Sequence, residues 1–300
     1  MGSKNLGALL LLSALWGGSF LFMRIAAPSL GPILLIELRV AIAGLALLGY
    51  ALATKRVPPL HSHWRQYLVI GAINSALPFV LISTAELYLP ASLAATLNAT
   101  TPLFGAIVAT VWMGEALTVR KISGLLLGFA GVATLAGLGP LPLTATTLWS
   151  MAASLVAAIS YGVAAVYTKV KVQGGQPQAL ALYSQLFAAV LLMPLVPFSL
   201  PSAWPSMTVI VSVLTLALLS TAFAYLLYFQ LIVNVGPTKA VMVTYLAPGF
   251  GMLWGAVFLQ EQLGVASFLG FGLILCSVAL VSGRAAAPAV KPTVEAESHG

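Results

Sequence analysis

Three prolines stand inside long apolar runs, each four residues after a polar side chain: Asn74 before Pro78, Asn98 before Pro102, and Thr244 before Pro248. A proline within a helix has no N–H to donate and pushes away the carbonyl four residues earlier. In hydrocarbon such a carbonyl needs a partner or a polar cavity. These residues therefore offer acceptors at membrane depth, or they merely bend helices while Asn and Thr cross-link them. Aromatic side chains form a second group: Trp16, Phe20, Phe79, Tyr161, Tyr225, Tyr228, Tyr245 and Trp254 lie within apolar runs, several away from the interfaces where Trp and Tyr gather. Singly they read as packing; together they suit an apolar pocket with a few directed polar groups.

The charged residues narrow the chemistry further. Glu37, Glu86, Glu115 and Glu261 all fall near the ends of apolar runs, and no ionised side chain is expected at mid-depth. A cation carrier would want a carboxylate there and an organic-phosphate carrier a Lys or Arg, so a neutral or zwitterionic solute fits better. Arg24, Glu37 and Arg39 cluster near one end of the first two runs, as a surface ion pair or as an external gate. Glu115 and Glu261 suit the bracing of the turns that precede the next runs.

Other chemistries find no support. His61 and His63 are two ligands in a polar loop, too few for a metal site. There is no G-x-x-x-x-G-K-[ST] phosphate loop, no Ser/His/Asp set, and Cys276 is the lone cysteine, so no cofactor, metal or disulfide is expected. The net charge of +7 comes from 13 basic residues scattered in ones and twos, which form no nucleic-acid-binding face.

The elements that must position these groups are membrane helices. Sixty percent of residues are hydrophobic and 6% charged, with a mean hydropathy of +1.05, outside the range of a soluble domain. Breaks at Pro, Gly and charge divide the chain into ten runs of roughly 20 residues, the length that spans a bilayer: 6–27, 33–53, 64–87, 92–113, 120–137, 145–169, 177–198, 207–234, 238–260 and 264–283. Placing the amino terminus in the cytoplasm puts Lys4, Lys55, Arg56, Arg65, Arg120, Lys121, Lys169, Lys171, Lys239, Arg284 and Lys291 inside, with only Arg24 and Arg39 outside. Both termini are then cytoplasmic. The expected fold is an all-α membrane protein.

A repeat runs through these helices. Leu89 to Gly137 realigns without a gap on Val235 to Gly283, matching Pro102, Phe104, Gly105, Glu115 and Gly124 with Pro248, Phe250, Gly251, Glu261 and Gly270. Further back, Gly17 meets Gly162 and Trp16 meets Tyr161. Arg120 and Lys121 in the first copy face Ala266 and Ser267 in the second. Five helices per copy force the two into opposite orientations, an arrangement typical of transporters. The expected organisation is a first five-helix repeat over 1–140, an inverted second repeat over 141–283, and a disordered cytoplasmic tail over 284–300.

Two five-helix halves, Trp16-Gly17 in the first helix, mid-helix prolines in the fourth and ninth, and the Gly114-Glu115-x-Leu117-Thr118 turn resemble the EamA-type branch of the drug/metabolite transporter superfamily. The second half departs from that turn with Gln260-Glu261-Gln262. Within the branch the chain is most similar overall to the YddG-type exporters of aromatic amino acids. The resemblance implies a multi-pass transporter of a bacterial-type inner membrane. Small relatives in the superfamily resemble half of this chain and pair to function, so a two-half chain need not dimerise, and Gly124 and Gly128 could pack within the monomer or between copies.

The function expected from all this is a secondary transporter or facilitator that exports small amphipathic metabolites, amino acids first with a preference for aromatic ones, by alternating access around a midplane site. Trp16, Phe20, Asn74, Phe79, Asn98, Tyr161, Tyr225, Tyr228, Thr244 and Tyr245 would bind substrate between the halves, with Pro78, Pro102 and Pro248 bending the helices around it. Multidrug efflux of aromatic compounds is the rival within the class. A channel or receptor would need a continuous polar face or a ligand domain.

Overall fold

Glycine and proline mark most helix boundaries, and the computed structural model follows them closely over the residues it describes, 1–60, 63–138, 141–172 and 176–282. The tail over 284–300 and His61 lie outside these. Helix α1 (Ser3–Leu30) ends at Gly31, whose φ of 71° is open to glycine at little cost, and α2 (Pro32–Ala53) begins with a proline whose missing N–H would have had no partner in the first turn. Then follow α3 (Trp64–Ala85), α4 (Ala91–Met113), α5 (Val119–Leu138), α6 (Ala145–Lys171), α7 (Pro177–Phe198), α8 (Met207–Val235), α9 (Pro237–Ala240 with Val243–Leu259) and α10 (Val265–Ser282). No strand occurs among the described residues. Eight stretches are long and apolar enough to cross a membrane; the first, Ser3–Ala53, contains both α1 and α2, and Val243–Leu259 is a shorter apolar helix.

Two helices change their winding at nearly corresponding places in the two copies. Gly71–Ala76 in α3 and Leu218–Phe223 in α8 are π-helical, with backbone bonds reaching one residue further than in an α-helix. This corrects the expectation for Pro78. In the wider register, Leu77 N–H bonds Ala72 O, so the carbonyl that Pro78 leaves open is that of Ile73 and not that of Asn74. The Ser160 hydroxyl of α6 answers it at 2.6 Å. In α8 no proline is involved, and the Thr221 hydroxyl donates to Leu216 O at 2.8 Å, five residues back.

Close approach of backbones joins the two copies. A Cβ on Gly17 of α1 would fall 2.5 Å from Ala247 O and 2.7 Å from Gly251 N in α9. A Cβ on Gly162 of α6 would fall 2.7 Å from Gly105 N in α4. The same pair of helices therefore meets twice with the copies exchanged, and only glycine permits either crossing. Gly124, Gly128 and Gly131 of α5 are covered by α10 of the same chain, where Ser277 Oγ donates to Gly124 O at 2.6 Å. That face is thus used within the monomer.

The turn after α9 keeps the geometry of the turn after α4 despite its different sequence. Gly114 and Gln260 are both left-handed, at φ 68° and 55°, and Glu115 N and Glu261 N reach back to Ala109 O and Gly255 O. Glycine takes this conformation freely, whereas glutamine bears its steric cost. The two glutamates then diverge. Glu115 pairs with Lys121 at 3.1 Å and Lys169 at 3.4 Å. Glu261 accepts the N–H groups of Ala91 at 2.7 Å and Ser92 at 3.0 Å, capping the start of α4 and tying it to the end of α9. Bracing is the role expected of both, although Glu261 braces a helix other than the one it precedes.

Candidate functional site

The π segment of α8 brings Thr221 inward, and Arg39 of α2 meets it. Arg39 Nε donates to Thr221 Oγ1 at 3.0 Å and Nη1 approaches Met23 Sδ of α1 at 3.4 Å. The guanidinium carbon lies 3.6 Å from the centre of the Phe79 ring, one residue past Pro78. Arg39 is only 4% exposed. A buried cation over an aromatic face is held by the ring quadrupole, about 2 kcal/mol when water is absent. Its remaining terminal nitrogen, Nη2, takes no bond from the described residues.

Arg39 overturns the expectation of an interior without charge. Its place eight residues into α2 suggested an outer end, but the long side chain reaches the level of Phe79 and enters the bundle. Glu86 stays at the end of α3, as expected, but is fully buried there. The expected cluster of Arg24, Glu37 and Arg39 does not form as an ion pair among the described residues. Arg24 Nη1 bonds the Glu86 carbonyl, Glu37 Oε2 is buried without a hydrogen bond, and Arg39 points inward.

Aromatic groups surround the guanidinium. Tyr161 of α6 sets its ring edge-on to Phe79 at 6.3 Å, and the phenols of Tyr161 and Tyr225 both lie close enough to Arg39 to interact with it. Tyr225 of α8 contacts Asn74 of the π segment in α3 through its hydroxyl. Trp16 of α1 packs edge-on to Tyr225 at 6.4 Å and tilted on Tyr228 at 5.3 Å. Phe20, one turn beyond Trp16, is buried in the same core as Phe79. So the structure gathers Trp16, Phe20, Asn74, Phe79, Tyr161, Tyr225 and Tyr228 around Arg39. Trp16 and Tyr161 each precede a crossing glycine, which fixes their depth.

The remaining expected residues stand elsewhere. The Asn98 carbonyl is taken by the Thr101 hydroxyl at 2.8 Å where α4 is interrupted between Asn98 and Thr101, and Pro102 starts the second segment. Asn98 Oδ1 is buried and unpartnered. Pro248 lies within the continuous segment Val243–Leu259, so the interruption in α9 falls earlier than in α4. Thr244 is exposed and donates to Val241 O at 2.8 Å, while Tyr245 packs on a different core with Leu97 and Ile274. Two members of the cluster, Thr221 and Met23, carry no sequence signal beyond polarity and softness.

The arrangement is a cation held over an aromatic ring, with further aromatic side chains close by, where two halves of the bundle meet, able to take an anionic group beside a flat apolar one. Comparison with known proteins bears on what carries such a site. The model of the EamA-like transporter family matches residues 5–137 and again 148–283. The chain belongs to this family. It is a multi-pass membrane transporter. Among its relatives, the inner membrane transporter YedA of Escherichia coli (strain K12) is 29% identical over 296 residues, 96% of this chain and 94% of that one. The transporter YvbV of Bacillus subtilis (strain 168) is 28% identical, covering 95% and 94%. A protein of Streptantibioticus cattleyicolor described as a probable terminal-alkyne amino-acid exporter is 26% identical, covering 94% of each chain. A solved crystal structure matches 94% of this chain and 97% of its own at a TM-score of 0.66 and 19% identity, a likeness of fold alone.

Proposed function

We propose that this protein is an inner (plasma) membrane exporter of small amphipathic metabolites that carry a carboxylate, amino acids foremost and aromatic ones preferred. The observation that carries the reading is Arg39, buried over Phe79 with Nη2 unbonded and Tyr161, Tyr225 and Trp16 around it. A substrate carboxylate would take Nη2, since a charge-assisted bond in a dry site orients a ligand strongly. The aromatic side chain would lie against Tyr161 and Trp16, and Asn74 would meet the ammonium. The amino-acid exporter among the relatives supports the substrate class.

Ten membrane-spanning helices in two inverted repeats, over 1–140 and 141–283, underlie the mechanism, with both termini cytoplasmic. Support comes from the double family match, the paired π segments and the exchanged glycine crossings. On this topology the end bearing Glu86, Ala91 and Glu261 faces outward and is closed here by Glu261 and Arg24. The end bearing Glu115 faces the cytoplasm. Rocking of the halves about the glycine crossings would expose Arg39 to each side in turn.

Vesicles loaded with unlabelled phenylalanine and diluted into labelled phenylalanine test the reading. Saturable exchange is expected, reduced about 100-fold in Arg39→Met by loss of a charged bond of about 3 kcal/mol. Exchange unaffected by Arg39→Met, or competed by cationic dyes and not by amino acids, would sink it in favour of drug efflux.

A further inference from the structure

Glu86 has no role in the site around Arg39, and its surroundings are unusual. The residue is 0% exposed, and neither Oε1 nor Oε2 has a hydrogen-bond partner. The charged groups acting on it are Arg24 from α1, Arg39 from α2 and Glu261 from the turn after α9. None of them bonds its carboxylate oxygens. Arg24 Nη1 bonds the Glu86 backbone carbonyl, Arg39 Nε and Nη1 turn to Thr221 and Met23, and Glu261 is itself an acid. Glu261 is held by two N–H groups at a helix start. A second carboxylate nearby, desolvated and without donors, has no such support; an ionised carboxylate left bare in this way would be far too costly, and such a group neutralises instead.

We propose that Glu86 is a proton-binding site, loaded only while the Glu261 end of the bundle is closed. Closure transfers one proton from water to a Glu86 carboxylate oxygen. Opening separates α4 from α9, admits water and Arg24 to the carboxylate, and returns the proton to the same side. Acid on that side therefore holds that end shut, and the ratio of closed to open molecules changes by up to tenfold per pH unit. The inference rests on the proposed topology only for which side is meant.

Two measurements test it without substrate. The chain has six acidic residues, all glutamate, so infrared spectroscopy of the protein in lipid vesicles at pH 7 can resolve a carboxylic-acid C=O band. That band should vanish in Glu86→Gln and persist in Glu37→Gln and Glu115→Gln. No acid band, or one that Glu86→Gln retains while Glu37→Gln loses it, overturns the proposal. The second measurement uses Cys276→Ser with Thr96→Cys, a buried position one turn inside Ser92 on α4. Labelling by an impermeant maleimide, normalised to the same cysteine in unfolded protein, should rise about tenfold or more from pH 5.5 to 8. The rise should disappear in Glu86→Gln; a rise that survives there overturns the proposal. Should Glu86→Gln fail to insert, Glu86→Asp keeps the acid and must shift the band, and an unshifted band refutes the assignment. Labelling only from the cytoplasmic side, with the band still lost in Glu86→Gln, would reverse the topology and leave the proton site standing.

Discussion

Gly162→Ala and Gly105→Ala place the same methyl group on opposite sides of one crossing, and the structure predicts opposite outcomes. At Gly162 the new Cβ would lie 2.7 Å from Gly105 N, 3.0 Å from Phe104 C and 3.1 Å from Gly105 Cα, where ordinary contact begins at 3.4 Å. All three neighbours are backbone, so no side chain can rotate away. Helices α4 and α6 must separate by roughly 0.7 Å at that point, which forfeits a quarter to a half of each dispersion contact nearby. Overpacking of this kind costs about 2–3 kcal/mol, against which alanine's helix propensity returns about 1. Gly162→Ala should therefore lose about 1–2 kcal/mol. At Gly105 the Cβ would meet only Gly162 Cα, at 3.8 Å, so the propensity gain stands nearly alone. Titration with sodium dodecyl sulfate in mixed micelles, read by tryptophan fluorescence, should place the two midpoints on either side of the wild type. Gly162→Ala should also slow exchange, because Tyr161 next to it moves with α6. A Gly162→Ala protein as stable as Gly105→Ala would refute the crossing and the idea that the halves pivot on it.

Four further outcomes follow from the same geometry. Gln260→Gly should stabilise by about 0.5–1 kcal/mol by relieving a left-handed glutamine, and Gly114→Gln should destabilise by a similar amount, both read in the same titration. Ser160→Ala should cost about 1–3 kcal/mol, because Ile73 O loses the hydroxyl that answers it opposite Pro78, and Ser160→Thr should restore part of it. Arg39→Lys should keep a charge but lose the fork and the flat face over Phe79, so its exchange rate should fall between wild type and Arg39→Met. Lys121 beside Glu115, with Lys169 further out, holds the Glu115 carboxyl below the usual carboxylate range. A lowered folded-state value means its contribution is present above about pH 4.3 and lost as pH falls through the folded value; unfolding midpoints of wild type and Glu115→Gln should differ by a constant, small amount from pH 5 to 8 and converge in acid.

Much of the fold was legible because hydrocarbon imposes simple rules. A 20-residue apolar run bounded by Pro or Gly has few alternatives to a helix, and the runs read from the sequence differ from the observed helices by only a few residues at each end. The crossing glycines were visible as paired positions, and Trp16, Tyr161, Phe79 and Tyr225 were visible as aromatics out of place. The proline rule misled because it assumes an α-helical register. Once α3 widens into a π segment, the open carbonyl moves from Asn74 to Ile73, and no local signal in the chain announces that shift. At Asn98 the carbonyl finds a partner close by, since the Thr101 hydroxyl three residues on is a ready donor.

The helices, the repeat and the kind of protein follow from hydropathy, turn residues and internal likeness, all of which are local or one-dimensional and so legible in the chain. Where the charges go is a matter of packing. Arg39 and Glu86 sit where their positions along the helices suggest surface, and both are buried because a side chain's surroundings depend on which helix faces it, on the π register that turns Thr221 inward, and on the Glu261 cap that ties α4 to α9. The same turn geometry carries Glu115 and Glu261, yet one meets lysines and the other a helix start, since a residue's partner is a property of the packed chain and of the state in which it is packed.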